Sequence, residues 1–404
     1  MTEATIALSE YLRKTGLSLD GDFLRQAVQY LMQQLIELEA AEHIGADRYQ
    51  RTPTRTTQRN GHRARGLDTR VGELSLRIPK VRQGTFFPSL LEPRRRAEKA
   101  LLAVIQEAYV AGVSTRKVDD VVQALGLTGV DRSSVSRICQ GLDELVEAFR
   151  NRALAGAYPY LWLDALYLKV RQNHRIVSKA LVIAIGVRET GEREILGLAI
   201  GASEEAAFWR EFLRSLVGRG LTGVQLVISD AHEGLKAAIG QVLTGAAWQR
   251  CRVHFMRNLL AHIPQADKSV VAAFVRTIFA QPDRPAASQQ LAEVARLMEA
   301  RWPKAAELLR TAEDDVLAYL DFPQEHWTRI YSTNVLERLN REVKRRTDVV
   351  QVFPNDPAVI RLVGSVLQEI ADEWVIERRY FSQASMQRLV EPAPVPGPAL
   401  APVR

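Results

Sequence analysis

Three carboxylates in this chain stand where metal-dependent chemistry on nucleic acid would need them. Asp164 follows the apolar run Tyr160-Leu161-Trp162-Leu163, and Asp230 closes a second run, Val224-Gln225-Leu226-Val227-Ile228-Ser229. Glu337 lies in a strongly basic stretch that runs from Ser332 to Arg346. Acids on, or at the ends of, strands are a common active-site position on an α/β sheet. A third acid on a helix closing over them completes a cluster that can hold two divalent cations for in-line displacement at phosphorus. In that scheme Asp164 reaches both ions, while Asp230 and Glu337 each complete one. Hard oxygen ligands suit Mg²⁺ or Mn²⁺, with the two ions about 4 Å apart.

Each acid also has a plainer role. Asp164 would be a polar residue on the solvent face of a strand. Asp230 would cap the helix beginning near Glu233, and Glu337 would pair with Asn334 in a capping box or with Arg341 one turn on. Glu342 competes with Glu337, but five residues along it lies about 140° round the helix, so both cannot face one metal. Glu337 is nearer the helix start and Asn334. The same helix carries Arg338, Arg341, Lys344, Arg345 and Arg346, candidate phosphate contacts on either side of a cut. Their plainer role is a solvated surface. Cys251 and His254 have metal-like spacing, but no second Cys/His pair completes a tetrahedral zinc site. They are placed, with Asn334, as support for the acids, His254 as a contact to a phosphate or leaving group. Trp327 is expected to pack in the core rather than stack on a base.

The elements that must position these residues follow from periodicity and breakers. Residues 160–170, 176–187, 194–201, 224–229 and 247–253 read as strands. Short connections at Gln172-Asn173-His174 and Glu189-Thr190-Gly191 make the first three an antiparallel meander. Helices at 208–217 and 233–242 make the later pairings parallel. This order is that of the ribonuclease H-like fold, whose first and fourth strands are neighbours, so Asp164 and Asp230 would meet. Residues 256–325 read as helical throughout, and further helices cover 334–347 and 356–375.

Upstream, residues 21–45 form an amphipathic helix whose apolar face suits a core or a dimer seam. Residues 52–66 are polar and basic, with a turn at Asn60-Gly61, and Leu74 to Val81 alternates as a strand. Three helices follow: Ala100 to Ala111, Thr115 to Leu125 capped by Ser114, and one capped by Asp131 or Ser133. Together they resemble a helix-turn-helix as much as a plain three-helix bundle. The tail from Glu391 to Pro398 is rich in proline and reads as disordered.

The chain has 404 residues, enough for two to four domains, and a formal charge of +7. The cations cluster: Arg51, Arg55, Arg59, Arg63, Arg65, Arg70 and the triplet Arg94-Arg95-Arg96 stand in a stretch with few acids. That pattern favours phosphate contact. Two cysteines are too few for a disulfide framework and fit a reducing compartment. The N-terminus lacks a signal-peptide pattern, and no apolar run approaches the roughly 20 residues that span a bilayer. The expectation is a cytoplasmic protein with no membrane partner.

The chain resembles the Mutator family of bacterial insertion-sequence transposases over most of its length. In the N-terminal third the matching motifs are His43-Ile44-Gly45-Ala46, Arg59-Asn60-Gly61 and Ile78-Pro79-Lys80-Val81-Arg82-Gln83-Gly84. The centre matches at 164–171, at Ser229-Asp230-Ala231-His232-Glu233-Gly234-Leu235, and at Cys251 and His254. The most specific block runs from Ser332 through Glu337 and Glu342 to Thr347, then Val349-Val350 and Phe353-Pro354-Asn355. The resemblance implies a DDE triad of Asp164, Asp230 and Glu337. It also implies an α/β chain: an RNase H-like catalytic core interrupted by an all-helical insertion, after a mainly helical DNA-binding N-terminal region. The expected partners are double-stranded DNA, as terminal inverted repeats and target, and a second copy of the chain, in a bacterial nucleoid setting. The expected domains are 1–97 and 98–155 for DNA binding, 156–255 and 326–385 for the core, 256–325 for the insertion and 386–404 for the tail. Two rivals stand beside this reading: a structure-selective nuclease of the same fold, and a non-enzymatic DNA-binding regulator derived from a transposase.

Overall fold

A computed structural model describes residues 21–69, 71–91, 99–113, 117–118 and 132–389. The chain is mixed α/β and divides into two units, Met1–Gly141 and Leu142–Arg404.

In the first unit, helix α1 (Gly21–Ile44) packs on an antiparallel hairpin of β1 (Arg59–Thr69) and β2 (Gly72–Val81). Alternation in β2 turns Leu74, Leu76 and Ile78 onto Ile36 and Ala40 of α1. The expected turn at Asn60-Gly61 is instead part of β1. Gly61, at φ +74°, sits in a register shift between Arg59 and His62, so the glycine makes a bulge rather than a reversal. The polar character of 59–66 arises because the strand meets the core only near Leu67. Helices α2 (Lys99–Val110) and α3 (Arg132–Cys139) join through Ile105, Val135 and Cys139. Most of the expected helix from Thr115 to Leu125, the Arg94-Arg95-Arg96 triplet, Arg70 and the proline-rich tail lie outside the described residues.

The second unit is built on a five-stranded sheet in the order β5-β4-β3-β6-β7. Its strands are β3 (Tyr160–Gln172), β4 (Arg175–Val187), β5 (Arg193–Gly201), β6 (Leu226–Ser229) and β7 (Ala247–Arg250). β3, β4 and β5 pair antiparallel, while β6 runs parallel to β3 and β7 parallel to β6. Asn173 and His174 both have positive φ, which gives β3 and β4 a tight two-residue turn. Helices α5 (Ala206–Gly218) and α6 (Glu233–Val242) make the crossovers. β7 stops at Arg250, three residues short of the strand expected to reach 253. The Cys251 amide makes one last bond to Ser229 O at 2.8 Å, and α7 (Arg252–Ala261) then begins.

Helices cover both faces of the sheet. Odd-numbered β3 residues Leu161 and Leu163 pack with Trp209, Phe212, Leu213 and Leu216 of α5 and with α6. Even-numbered Tyr160 and Trp162 point the other way, toward His326 and Ser332. Between β7 and that second layer the chain is helical: α8 (Lys268–Ile278), α9 (Arg284–Glu299), α10 (Pro303–Thr311) and α11 (Glu313–Leu317) follow α7. Then come α12 (Trp327–Ile330), α13 (Asn334–Val350), α14 (Asp356–Ile376) and α15 (Gln383–Gln387). Arg361 on α14 clamps Asp143 of α4 (Asp143–Asn151) through two bonds, at 2.6 and 2.8 Å. Trp327, partly buried, donates its indole N–H to Phe322 O and packs edge-on against Tyr319. No helix of the described residues is long and apolar enough to cross a membrane.

His326 is wholly buried, with Nδ1 2.7 Å from the Tyr160 hydroxyl and its ring 4.1 Å from that of Phe381. Burial depresses its pKa to about 4. The unfolded chain, with an ordinary histidine near 6.5, therefore binds this proton more readily than the folded one. The stabilisation is fully present above pH 6.5 and drains away as pH falls toward 4, by about 3 kcal/mol. Denaturant titrations across that window should show this slope in the native protein and lose it in His326→Gln. An equal slope in both would place the acid sensitivity elsewhere.

Candidate active site

The connectivity brings the first two acids to one end of the sheet. β6 pairs with β3 only over Tyr160, Leu161 and Trp162. Asp164 lies two residues past the last pair on β3, and Asp230 directly follows β6. Asp230 does not cap α6: His232 does, its Nδ1 accepting from the Leu235 amide at 3.3 Å. Asp230 Oδ1 accepts from the Ala231 amide at 2.8 Å. Its side chain is 45% exposed, so a carboxylate oxygen is left for another partner.

Glu337 arrives on α13, whose start is held by five contacts to β3 and to the residues just after β7. Trp162 Nε1 donates to Ser332 O at 3.1 Å. The Arg252 amide donates to Tyr331 O at 2.9 Å, and the Arg252 guanidinium stacks 3.6 Å over the Tyr331 ring. Buried Cys251 Sγ accepts from the Thr333 amide and hydroxyl at 3.4 and 3.3 Å. Burial pushes the Cys251 thiol up, but hydrogen bonding with His254 and Thr333 brings it below its ordinary value. Glu337 makes neither expected local contact. Thr333 is the N-cap, without a side-chain bond, and Glu337 has no ion pair with Arg341 among the described residues.

His254 links the two acids. Its Nδ1 lies 3.7 Å from Asp230 Oδ2, and its Nε2 lies 3.8 Å from Glu337 Oε1. The Cys251 thiol, and then Asp230, hold the imidazole up to about 8 despite its burial. At neutral pH a positive charge therefore stands between two carboxylates. Asp164 is held from the same helix: Asn340 Nδ2 donates to its Oδ2 at 2.6 Å. Burial drives the Asp164 carboxyl up to about 6, and Asp230 adds to that shift. The Ala165 amide, Asn340 and the His254 charge oppose it. Asn340 was not singled out from sequence. Its signal was the spacing of three from Glu337, which puts both on one helical face.

Other sequence candidates separate by their partners. Glu342 is held by Arg345 and Arg346, which pull its carboxyl down to about 2. Arg346 also reaches Glu369. Arg338, Arg341 and Lys344 are exposed and share one side of α13 at spacings of three. Asn334 is exposed at the start of that helix. In the first unit Arg59 pairs with Glu37 at 2.5 Å, and Arg63 lies over the Phe87 ring. His62 also contacts Glu37, and His43 packs by Phe86.

Among the described residues, no three acid, imidazole or thiol groups close on one point as they stand. The donor chemistry nevertheless suits a hard cation. A half-buried carboxylate is raised by burial and a neighbouring acid, and an imidazolium occupies the position between the other two.

The family model for "Transposase, Mutator family" matches residues 1–377. The chain belongs to the Mutator family of transposases. It is similar to the transposase for insertion sequence element IS1081 of Mycobacterium tuberculosis, at 46% identity over 91% of this chain and 89% of that protein. The transposase for ISRM5 of Rhizobium meliloti is 40% identical over 91% of this chain and 92% of its own length. The transposase for IS256 in transposon Tn4001 of Staphylococcus aureus is 40% identical over 90% and 94%. The family model reaches across the boundary between the two units, and each of these relatives covers 90% or more of the chain.

Proposed function

We propose that this Mutator-family chain is a metal-dependent DNA transposase acting through Asp164, Asp230 and Glu337. The observation that carries the reading is His254, which meets Asp230 and Glu337 at once, beside the Asp164 held by Asn340. The neighbouring β3 and β6, the helix crossovers and the helical stretch before α13 support an RNase H-like core with an insertion.

The three carboxylates would hold two Mg²⁺ or Mn²⁺ ions. When bound, such ions activate an oxygen nucleophile and stabilise the leaving oxygen at phosphorus. Asn340 fixes the rotamer of Asp164 by donating to its Oδ2. Cys251 and Thr333 set the start of α13, and with it Glu337. His254 neutralises Asp230 and Glu337 until substrate arrives, and then donates a hydrogen bond to a phosphate oxygen or the leaving group. Arg338, Arg341 and Lys344 grip the backbone beside the cut. The first unit, with Arg63 and the Arg94-Arg95-Arg96 triplet, binds terminal inverted repeats. The protein works as a dimer on double-stranded DNA in the bacterial cytoplasm, at the nucleoid.

Incubation with Mg²⁺ and a duplex carrying the element's terminal repeat should give a nick at the element end with a free 3′-OH. Binding without metal-dependent cutting would favour the DNA-binding regulator instead. Asn340→Ala should slow cutting about tenfold, the effect of losing one charge-assisted bond of about 1.5 kcal/mol, with little change in DNA affinity. Asn340→Asp, which sets a like charge against Asp164, should be slower still. Unchanged rates in both would remove Asn340 from the site.

A further inference from the structure

We infer that the β3–β4 hairpin is a DNA-backbone ribbon that tracks the duplex away from the scissile phosphate. The inference rests on the proposed reading of the acid site. β6 leaves β3 after Trp162, and β5 leaves β4 at Ala180, yet β3 and β4 stay paired out to Gln172 and Arg175. The hairpin therefore projects from the end of the sheet that carries Asp164 and Asp230.

Its two faces differ. Leu166, Leu168 and Val170 are buried, and Phe353 pairs with this edge in both directions, Phe353 N to Lys169 O and Arg171 N to Phe353 O, each at 2.8 Å. Lys179 bonds Asp356 at 2.6 Å and braces the base against α14. The opposite face presents Tyr167, Lys169 and Arg171 from β3 beside Ile176 and Ser178 from β4, and all five are exposed. Arg175, paired with Gln172, adds a third cation at the turn from the other face of the hairpin. Residues 165–178 contain no acid, and among the described residues no ion pair holds Lys169, Arg171 or Arg175. Glu204 sits beside the Tyr167 hydroxyl at the base.

A braced ribbon with a tight turn, three unpaired cations and an exposed tyrosine and isoleucine suits a duplex groove and its phosphates. The cations were passed over in the sequence because they are spread along a strand rather than clustered. Strand rise places Lys169 about 17 Å and Arg171 about 23 Å beyond Asp164. Along B-form DNA those lengths correspond to about five and seven base pairs from the cut.

The test uses the full chain and an element-end duplex, with metal omitted so that binding is read apart from cutting. Each lost phosphate contact should lower the slope of log affinity against log salt by about 0.9, so Lys169→Ala/Arg171→Ala/Arg175→Ala should lower it by about 2.7. Lys169→Arg/Arg171→Lys/Arg175→Lys should keep the native slope. A photo-crosslinking phenylalanine analogue at Tyr167 should label DNA within about eight nucleotides of the cut. An unchanged slope in the alanine variant with the native melting temperature, or crosslinks only outside that window, would overturn the ribbon. If that variant melts early, the crosslink alone decides. Failure of metal-dependent cutting in a separate assay would instead count against the acid site.

Discussion

Asp164→Asn will lose cleavage at the element end by a thousandfold or more, equivalent to ~4 kcal/mol of barrier, while still binding the end. The substitution keeps the shape of the side chain, and its amide oxygen still accepts from Asn340. What disappears is the charge that the proposed reaction would use at this point of the sheet. The present burden on that charge is visible, because burial raises the carboxyl to about 6. Removing it therefore relieves the folded protein, and the variant should be as stable as the native chain or more so. End binding measured beside cleavage checks both halves. Equal loss of both would mean that Asp164 serves DNA binding or the fold, not the reaction.

Trp162→Ala will destabilise the second unit by about 3–5 kcal/mol, the range for truncating a fully buried aromatic. The indole is wholly inaccessible, lies between Tyr160 and Tyr380, and spends its N–H on Ser332 O. Its loss leaves a cavity under the start of α13 and an unpaired carbonyl. Trp162→Phe, which keeps most of the packing but not the bond, should cost about 1–2 kcal/mol. Chemical denaturation gives both values. The graded pair separates packing from the tether: a phenylalanine variant as stable as the native chain would mean that the Ser332 bond contributes nothing. Because α13 carries Glu337 and Asn340, the phenylalanine variant should also cut DNA more slowly than its small loss of stability explains.

Much of this was legible in the residues, for particular reasons. Short turns after β3 and β4, and helices before β6 and β7, fix which pairings are antiparallel and which parallel. The adjacency of β3 and β6, which puts Asp164 beside Asp230, followed from the strand order of the ribonuclease H-like fold and is seen in the sheet. The end of β7 was not legible, since Cys251, Val253 and Phe255 alternate as a strand would. The structure shows instead that Cys251 faces Thr333 while the chain turns helical. Asn60-Gly61 was misread because a positive-φ glycine serves a bulge as readily as a turn. The plainer role weighed for Asp230, the cap of α6, falls to His232. The roles of Asn340, His326 and the ribbon depend on residues far away in the chain. Asn340 meets Asp164, His326 meets Tyr160 and Phe353 meets β3, and no local period encodes these.

The decisive measurement is strand joining. Purified protein is incubated with Mg²⁺, a labelled, pre-cleaved element end and a supercoiled plasmid, with Asp164→Asn alongside. A transposase built on these three acids gives labelled plasmid with the native chain and none with the variant. Joining that persists in Asp164→Asn would contradict the assigned site, and cutting of intact ends without any joining would contradict the transposase and leave a nuclease.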